Sequence, residues 1–464
     1  MSHVVSPAID VEALRAAMEG EVVAPGDAAY DEARKIWNGM LDRYPAAVAR
    51  CASTSDVVAA VNFARERELP LAIRCGGHST PGYSTCDAGL VIDLRPMNRV
   101  EVDPEARVAR VQGGTLWGEL DGAAQEHGLA VTGGRVSTTG VGGLALGSGS
   151  GWLERAFGFT CENLIAAEVV TAAGQVVTAS AEENPDLLWG LKGGGGNFGV
   201  VTEFVFRLHP VGPIVVAGML LYPRAEARDV IRAYRDYMVD APDEVGGGVA
   251  LLTAPPEPFV PADLQGQPAV AIVYCYAGDV ERGLEAAAPL RAIGTPALDL
   301  IQPMPYVALQ SMLDGGMPPG IREYFKVDYL SALNDEAIDV VVTQGEQLPA
   351  PFGQLILGPM GGALERSDSS SMALEIPRKP WLFFCLSLWM DPAEDERNTE
   401  WARGYAEAMR PFGIGQAPPN FIALDEGAGR LRASFGEEKY AKLVELKRGW
   451  DPGNLFRLNQ NIAV

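Results

Sequence analysis

With 464 residues, 53 of them glycine, and 47% hydrophobic against 21% charged residues, the chain has the balance of a folded protein of two or three compact units, which excludes long disorder. Its formal net charge of −23 repels phosphate polyanions and anionic membrane surfaces and so excludes nucleic acid as an expected partner. No apolar run approaches the roughly 18 residues of a membrane span, and Asp10 and Glu12 fall where a secretory leader would be apolar, so neither a span nor a signal peptide is expected.

The cysteines Cys51, Cys75, Cys86, Cys161, Cys275 and Cys385 form no CxxC pair and read as reduced thiols of a cytoplasmic protein. His3, His78, His127 and His209 are too dispersed for a zinc or iron site, so no metal is expected.

In chain order, residues 55–68 place Val57, Val58, Val61, Phe63 and Ala64 on one stripe, predicting a helix opened by Ser55 or Asp56. A short strand at Leu71, Ala72 and Ile73 follows and ends in Gly76-Gly77, directly before His78. Strands are predicted at 89–94, 109–114, 168–180 and 200–208, and a helix at 115–128, giving a mixed α+β architecture rather than a regular βαβ array. After 209–216 the chain changes character: Pro-rich loops such as 253–268 separate strands such as 269–278, and a second domain is expected to begin there. Residues 437–450 predict a last helix. The tail that follows an Asp-Pro-Gly turn at 451–453 sets Asn459, Gln460 and Asn461 among apolar residues, as if tied down by hydrogen bonds.

Three glycine sites carry the chemistry. The run 192–206 contains a formal GxGxxG at Gly194, Gly196 and Gly199, but the β-branched Val200, Val201 and Thr202 open a strand where a dinucleotide fingerprint requires a helix. Its consecutive glycine peptides instead suit a diphosphate. A second stretch, 135–164, sets Gly140, Gly142, Gly143, Gly147, Gly149 and Gly151 among Ser137, Thr138, Thr139, Ser148 and Ser150. Alone it reads equally as a close-packed turn; together with the other two it suits a large, flat, doubly charged cofactor that needs several backbone approaches at once. The third is 73–84, where His78 projects from the end of a strand into a loop of N–H groups, a ligand-facing position.

The helix–strand unit 55–79, GGHS at 76–79, TGVGGLALGSGSGW at 139–152, GFTCENL at 158–164, NPDLLWGLKGGGGNFGVVT at 184–202 and DPGNLFRLNQNI at 451–462 together resemble the FAD-linked oxidases of the vanillyl-alcohol-oxidase superfamily, with a PCMH-type FAD-binding domain. Within it they resemble the bacterial berberine-bridge-enzyme-like branch, relatives of 6-hydroxynicotine oxidase and of polyketide-tailoring flavoenzymes. Motifs in matching order cover residues ~40–212 and ~430–464. The resemblance implies that FAD is joined to His78 through the flavin 8α carbon. Such a link withdraws electron density from the ring and prevents loss of the cofactor. Relatives with a second link carry a cysteine where this chain has Val136, so one bond is expected, not two. Cofactor contacts are implied at Arg74, Cys75, Gly76, Gly77, Ser79, Gly82, Gly134, Ser137, Thr138, Thr139, Gly140, Gly142, Gly143, Gly149, Gly199 and Val201, with Trp152 and Asn163 bordering the channel and Asn459 and Asn461 reaching the isoalloxazine or ribityl chain.

The same resemblance implies an α+β fold in two parts. An FAD-binding domain spans 1–212, with 426–464 returning to it, and a substrate domain over 213–425 is built on an antiparallel sheet flanked by helices. The implied reaction is oxidation of a small organic molecule, polyketide- or alkaloid-like, by hydride transfer to flavin and reoxidation by O2, in a monomer or homodimer. A proton must leave the substrate, so a base is expected. The family's usual positions hold Leu355, Ile356 and Leu357 before the Gly-Gly-Ala, Pro419 before Asn420-Phe421, and Phe435 before Gly436. Tyr274, Tyr276, Gln354, Tyr324 and Glu375 stand as alternative bases; Tyr274 and Tyr276 share one strand face and read equally as a packing pair. A substrate acidic enough to arrive ionised, a flavin-based oxygenation, and a non-redox cyclisation with flavin as scaffold remain open at this point. Trp381, Phe383, Phe384 and Trp389 either line an apolar pocket or fill the core.

Overall fold

The computed structural model describes residues 9–349, 351–378 and 381–464 and shows three main sheets. The first pairs Ala47–Arg50, Leu90–Asp93 and Leu71–Arg74 in parallel, with Glu21–Val23 antiparallel at one edge. Its crossover helix is Thr54–Glu66, capped by the Ser53 hydroxyl, which accepts from Asp56 N–H, so the helix starts two residues earlier than its pattern suggests. Val57, Ala60, Val61 and Ala64 are fully buried under it.

The second sheet is antiparallel, in the order Val100–Asp103, Val108–Gln112, Val200–Arg207, Leu164–Val170 and Val176–Ser180. The single strand predicted over 168–180 is in fact two, joined by a turn in which Gly174 takes φ +74°. The helix Pro185–Leu191 precedes the glycine run and the strand Val200–Arg207 follows it. That order is the reverse of a dinucleotide fingerprint, as the β-branched residues indicated.

The third sheet has eight strands, among them Ile214–Pro223, Pro268–Tyr276, Val245–Thr253, Gln354–Pro359, Trp381–Trp389 and Arg322–Leu330 in spatial order, all antiparallel. The helices Ala227–Tyr237, Val280–Arg291, Asp335–Gly345 and Asp395–Met409 supply residues to a core with one face of it. Because successive side chains alternate across a strand, Ile272, Leu355, Phe383 and Cys385 enter that core, while Val273, Ile356, Phe384 and Leu386 face the other way, onto a large cavity.

The chain closes on itself through a buried charge. Lys447, in the helix Glu437–Trp450, is fully buried, and its ammonium donates to Asp451 (2.7 Å), to the Asn197 carbonyl of the glycine run (2.7 Å) and to the Phe456 carbonyl (2.9 Å). Asn197 in turn binds the tail, donating to Gln460 O and accepting from Ile462 N–H. Removing one member of such a pair strands the other charge in low dielectric. Lys447→Met is expected to lose about 3–5 kcal/mol of stability, read as a lowered urea midpoint.

Candidate active site

A cavity of about 1320 Å³ lies between the cofactor-side loops and the free face of the eight-stranded sheet. Single small-molecule pockets run to roughly 300–1,000 Å³, so this one has room for a large group and a second molecule beside it. The strand Leu71–Arg74 delivers Cys75, Gly76, Gly77, His78 and Ser79 to its wall; the helix Val141–Gly147 and the loop before it deliver Gly134, Thr139, Gly140, Gly142 and Gly143. Trp152, Gly199, Val201, Asn459 and Gln354 complete the set of expected residues that the fold brings together.

Two loops cross where neither has a side chain. A Cβ on Gly76 would run into the Gly140 backbone N–H and the Thr138 carbonyl, and one on Gly140 would strike Gly76 N and Cys75. Around that crossing the N–H groups of Gly77, His78, Ser79 and Gly143 donate to no acceptor in the protein among the described residues, while the Gly142 N–H is turned to the Cys75 sulfur. N–H groups left this way on a cavity wall are open to a ligand, and an anion is the partner that several of them can share. Asn459 donates to Gly196 O and Phe456 O, both at 3.0 Å, while its buried Oδ1 accepts nothing. These unused donors, that unused acceptor and the cradle without Cβ atoms fit a long anionic cofactor carrying its own donors.

His78 stacks on Trp37, ring centroids 3.9 Å apart, and its Nε2 lies 3.0 Å from Thr138 Oγ1. Burial pushes its pKa down to about 4, outweighing the nearby Asp314 carboxylate, so the ring is neutral at pH 7 with a lone pair to offer. Val136 lines the same wall, and no thiol stands in its place. The Cys75 sulfur donates to Thr115 O (3.2 Å), and burial raises its pKa to about 11, so it is no thiolate; Cys161 is buried away from the cavity.

Several of the expected residues lie off the cavity wall. Arg74 spends its charge on Asp93 (2.8 Å) and the Lys35 carbonyl, within the parallel sheet. Gly82 and Gly149 are turns, at φ +78° and +77°, off the cavity wall. Ser137 donates its N–H (2.9 Å) and its hydroxyl to Asp314. Asn163 ties the Phe157 and Phe159 carbonyls, both at 3.0 Å, and faces His209 at 2.7 Å. Asn461 is off the wall, although its buried Oδ1 lacks a partner. Thr138 is also off the wall and acts through His78.

Tyr274 and Tyr276 are kept from the cavity by register. Tyr274 and Tyr276 lie on the helix-facing side of their strand; the Tyr274 hydroxyl donates to Gly283 O (2.8 Å), and it is Val273 and Ala271 that face the cavity. Tyr324 donates to Asp425 (2.7 Å) and Glu375 pairs with Lys439 (3.2 Å), both off the wall. Gln354 alone of that group lines the cavity.

A residue the sequence reading missed does line it. Glu323 is buried, accepts from the Thr80 hydroxyl, and has its pKa raised to about 7, chiefly by burial. Glu154 also lies on the wall with a raised pKa, but Arg135 pairs with it at 3.1 Å. Much of the remaining surface is apolar, with Met219, Met304, Met312, Met317, Phe352 and Phe421 among its residues, beside polar groups such as Gln302 and Asn420.

Two protein families match this chain, one described as FAD binding domain over residues 45–180 and one as berberine and berberine like over residues 419–463. The chain is 29% identical to (R)-6-hydroxynicotine oxidase of Paenarthrobacter nicotinovorans over 470 residues, covering 96% of this chain and 97% of that one. It is likewise 29% identical to an FAD-linked oxidoreductase of Dictyostelium discoideum over 454 residues, covering 96% and 95%. The crystal structure of 6-hydroxy-D-nicotine oxidase from Arthrobacter nicotinovorans superposes with a TM-score of 0.87 at 27% identity, over 96% of this chain and 98% of that one. A cavity built of glycine loops beneath an antiparallel sheet is thus that of a flavin-dependent oxidoreductase. Its two matched domains and its full-length likeness fit the berberine-bridge-enzyme-like FAD-linked oxidoreductases of the vanillyl-alcohol-oxidase superfamily, and its cofactor is FAD.

Glu323 generates a stability prediction. Its folded pKa is raised above the unfolded value, so the protonated form's contribution is complete below the unfolded pKa near 4.5 and lost as pH rises through about 7. Glu323→Gln keeps the acceptor for Thr80 and removes that loss. The variant is expected to melt near wild type at pH 4 and above it at pH 8, by differential scanning calorimetry.

Proposed function

We propose that this chain is an oxidase that holds FAD by a single covalent bond to His78 and oxidises an uncharged, largely apolar small molecule of polyketide- or alkaloid-like type. The observation that carries the reading is the neutral His78 imidazole on the wall of a 1320 Å³ cavity, beside N–H groups that nothing in the protein uses. FAD, when bound, supplies a two-electron acceptor for hydride and passes the electrons to O2.

The chain's own residues do the rest. His78 would hold the flavin through a ring nitrogen, with Trp37 fixing the ring plane and Thr138 one nitrogen. The N–H groups of Gly77, His78, Ser79 and Gly143 would receive the diphosphate, and Asn459 Oδ1 would accept from a donor on the flavin or ribityl part. Residues 1–212 with 426–464 serve the cofactor, and 213–425 supply the substrate wall. That wall excludes water: Phe384, Leu386 and the flexible methionines favour a hydrophobic body and adapt to its outline. With Val136 where a second attachment would stand, the cofactor has one tether. A relative is named for (R)-6-hydroxynicotine, a ring-bearing alkaloid, which is the kind of molecule this wall suits.

Acid-denatured wild-type protein is expected to retain its yellow colour in the pellet, with FAD mass on the peptide containing residue 78. His78→Ala is expected to release all its flavin to the supernatant. A colourless wild-type pellet overturns the covalent reading. Under nitrogen, a substrate is expected to bleach the flavin; product formed with the spectrum unchanged would turn the reading to a non-redox cyclase.

A further inference from the structure

Resting on that reading of the cavity, we propose that Glu323 is the base that takes the proton from a substrate hydroxyl, and that Thr80 positions it. Four charged side chains reach the cavity wall among the described residues. Arg135 and Glu154 pair with each other, and Glu257 is exposed at the rim, which leaves Glu323 as the one buried acid without a cation.

Its placement is fixed from both sides. The strand Arg322–Leu330 turns Glu323 and Phe325 to the cavity and Tyr324 away. Asn38 grips its peptide, accepting the Glu323 N–H (3.2 Å) and donating to the Glu323 carbonyl (3.0 Å). The Asn38 amide donates also to Thr80 O (3.0 Å), and the Thr80 hydroxyl binds Glu323 Oε1. The strand and the loop that carries His78 are thereby locked together, with the carboxyl at their junction. Its second oxygen, Oε2, has no hydrogen-bond partner among the described residues.

The surrounding charges are engaged elsewhere. Arg322 is held by Asp395 and by Gly39 O, Lys326 by Asp425 and Glu426, and Leu388 lies opposite on the paired strand Trp381–Trp389. On the facing loop His78 is neutral, and Asp314 is bound by Ser137. A carboxyl so placed is poised near neutrality, where a general base works best. The step moves one proton: the substrate O–H bond breaks, its electron pair stays on oxygen, and the proton bonds to Oε2. The two-electron oxidation that accompanies it belongs to FAD. The substrate class follows, a neutral alcohol or phenol on an apolar body.

The test uses FAD-loaded full-length protein and 4-hydroxybenzyl alcohol as probe. Infrared difference spectra of wild type against Glu323→Gln are expected to show one protonated carboxyl that titrates near pH 7. Saturating probe at pH 8 is expected to increase that signal in wild type alone. With the same probe, Glu323→Gln should lower kcat/KM by about 10²–10⁴-fold, and Glu323→Asp should restore part of it. Thr80→Val, which keeps the carboxyl but removes a bond to its charged form, should move the acidic limb of the pH profile upward. A carboxyl signal indifferent to the probe, failure of the probe to bind, or wild-type kcat/KM in Glu323→Gln overturns the proposal. Failure of the oxidase reading looks different: a flavin that never bleaches, with the carboxyl still answering the probe.

Discussion

Everything at the site depends on two strands of backbone passing closer than any side chain would allow. Gly76 and Gly140 face each other with no room for a Cβ on either, so the end of the parallel sheet and the loop opening Val141–Gly147 meet peptide to peptide. Overfilling such a contact costs about 1–3 kcal/mol and moves backbone. The crossing directs the unused N–H groups of both loops toward one region and seats His78 between Trp37 and Thr138.

The low polarity of the cavity acts on its two titratable walls in opposite senses with one result. Burial lowers the imidazole of His78 and raises the carboxyl of Glu323, so both are held toward their neutral forms. A single apolar environment thus accounts for both shifts. The eight-stranded sheet sustains that environment by dividing its labour: Tyr274 and Leu355 fill the helical core, while Val273 and Ile356, one residue away on the same strands, give the cavity an apolar wall.

Much of this was legible in the residues. The helix at 54–66, the strand before Gly76-Gly77 and the ligand-facing placement of His78 follow from local periodicity and from what glycine permits. The rejection of a dinucleotide fingerprint at 194–199 followed from β-branched residues and holds, since a strand comes next. Arg74, Asn163 and Ser137 could not be read this way, because each is consumed by a partner far away in sequence: Asp93, the Phe157 and Phe159 carbonyls, and Asp314. The Tyr274 pair was placed on the right strand, but alternation alone does not say which face meets helices. Glu323 was invisible for a related reason. In the run Arg322–Leu330 charged and aromatic residues alternate on both faces, and only the fold shows that Lys326 meets Asp425 outside while Glu323 points inward.

The tail has a consequence for how the molecule is made. The cavity wall combines residues near 76 with Asn459 and Gln460, and the clamp of Lys447 on Asn197 sets the two in register. Synthesis runs from the N-terminus, so the early sheets form around an open trough while hundreds of residues are still to come. The wall is complete only with the helix Glu437–Trp450 and its tail in place, so a chain stopped before them lacks Asn459 and Gln460 from the enclosure of its FAD.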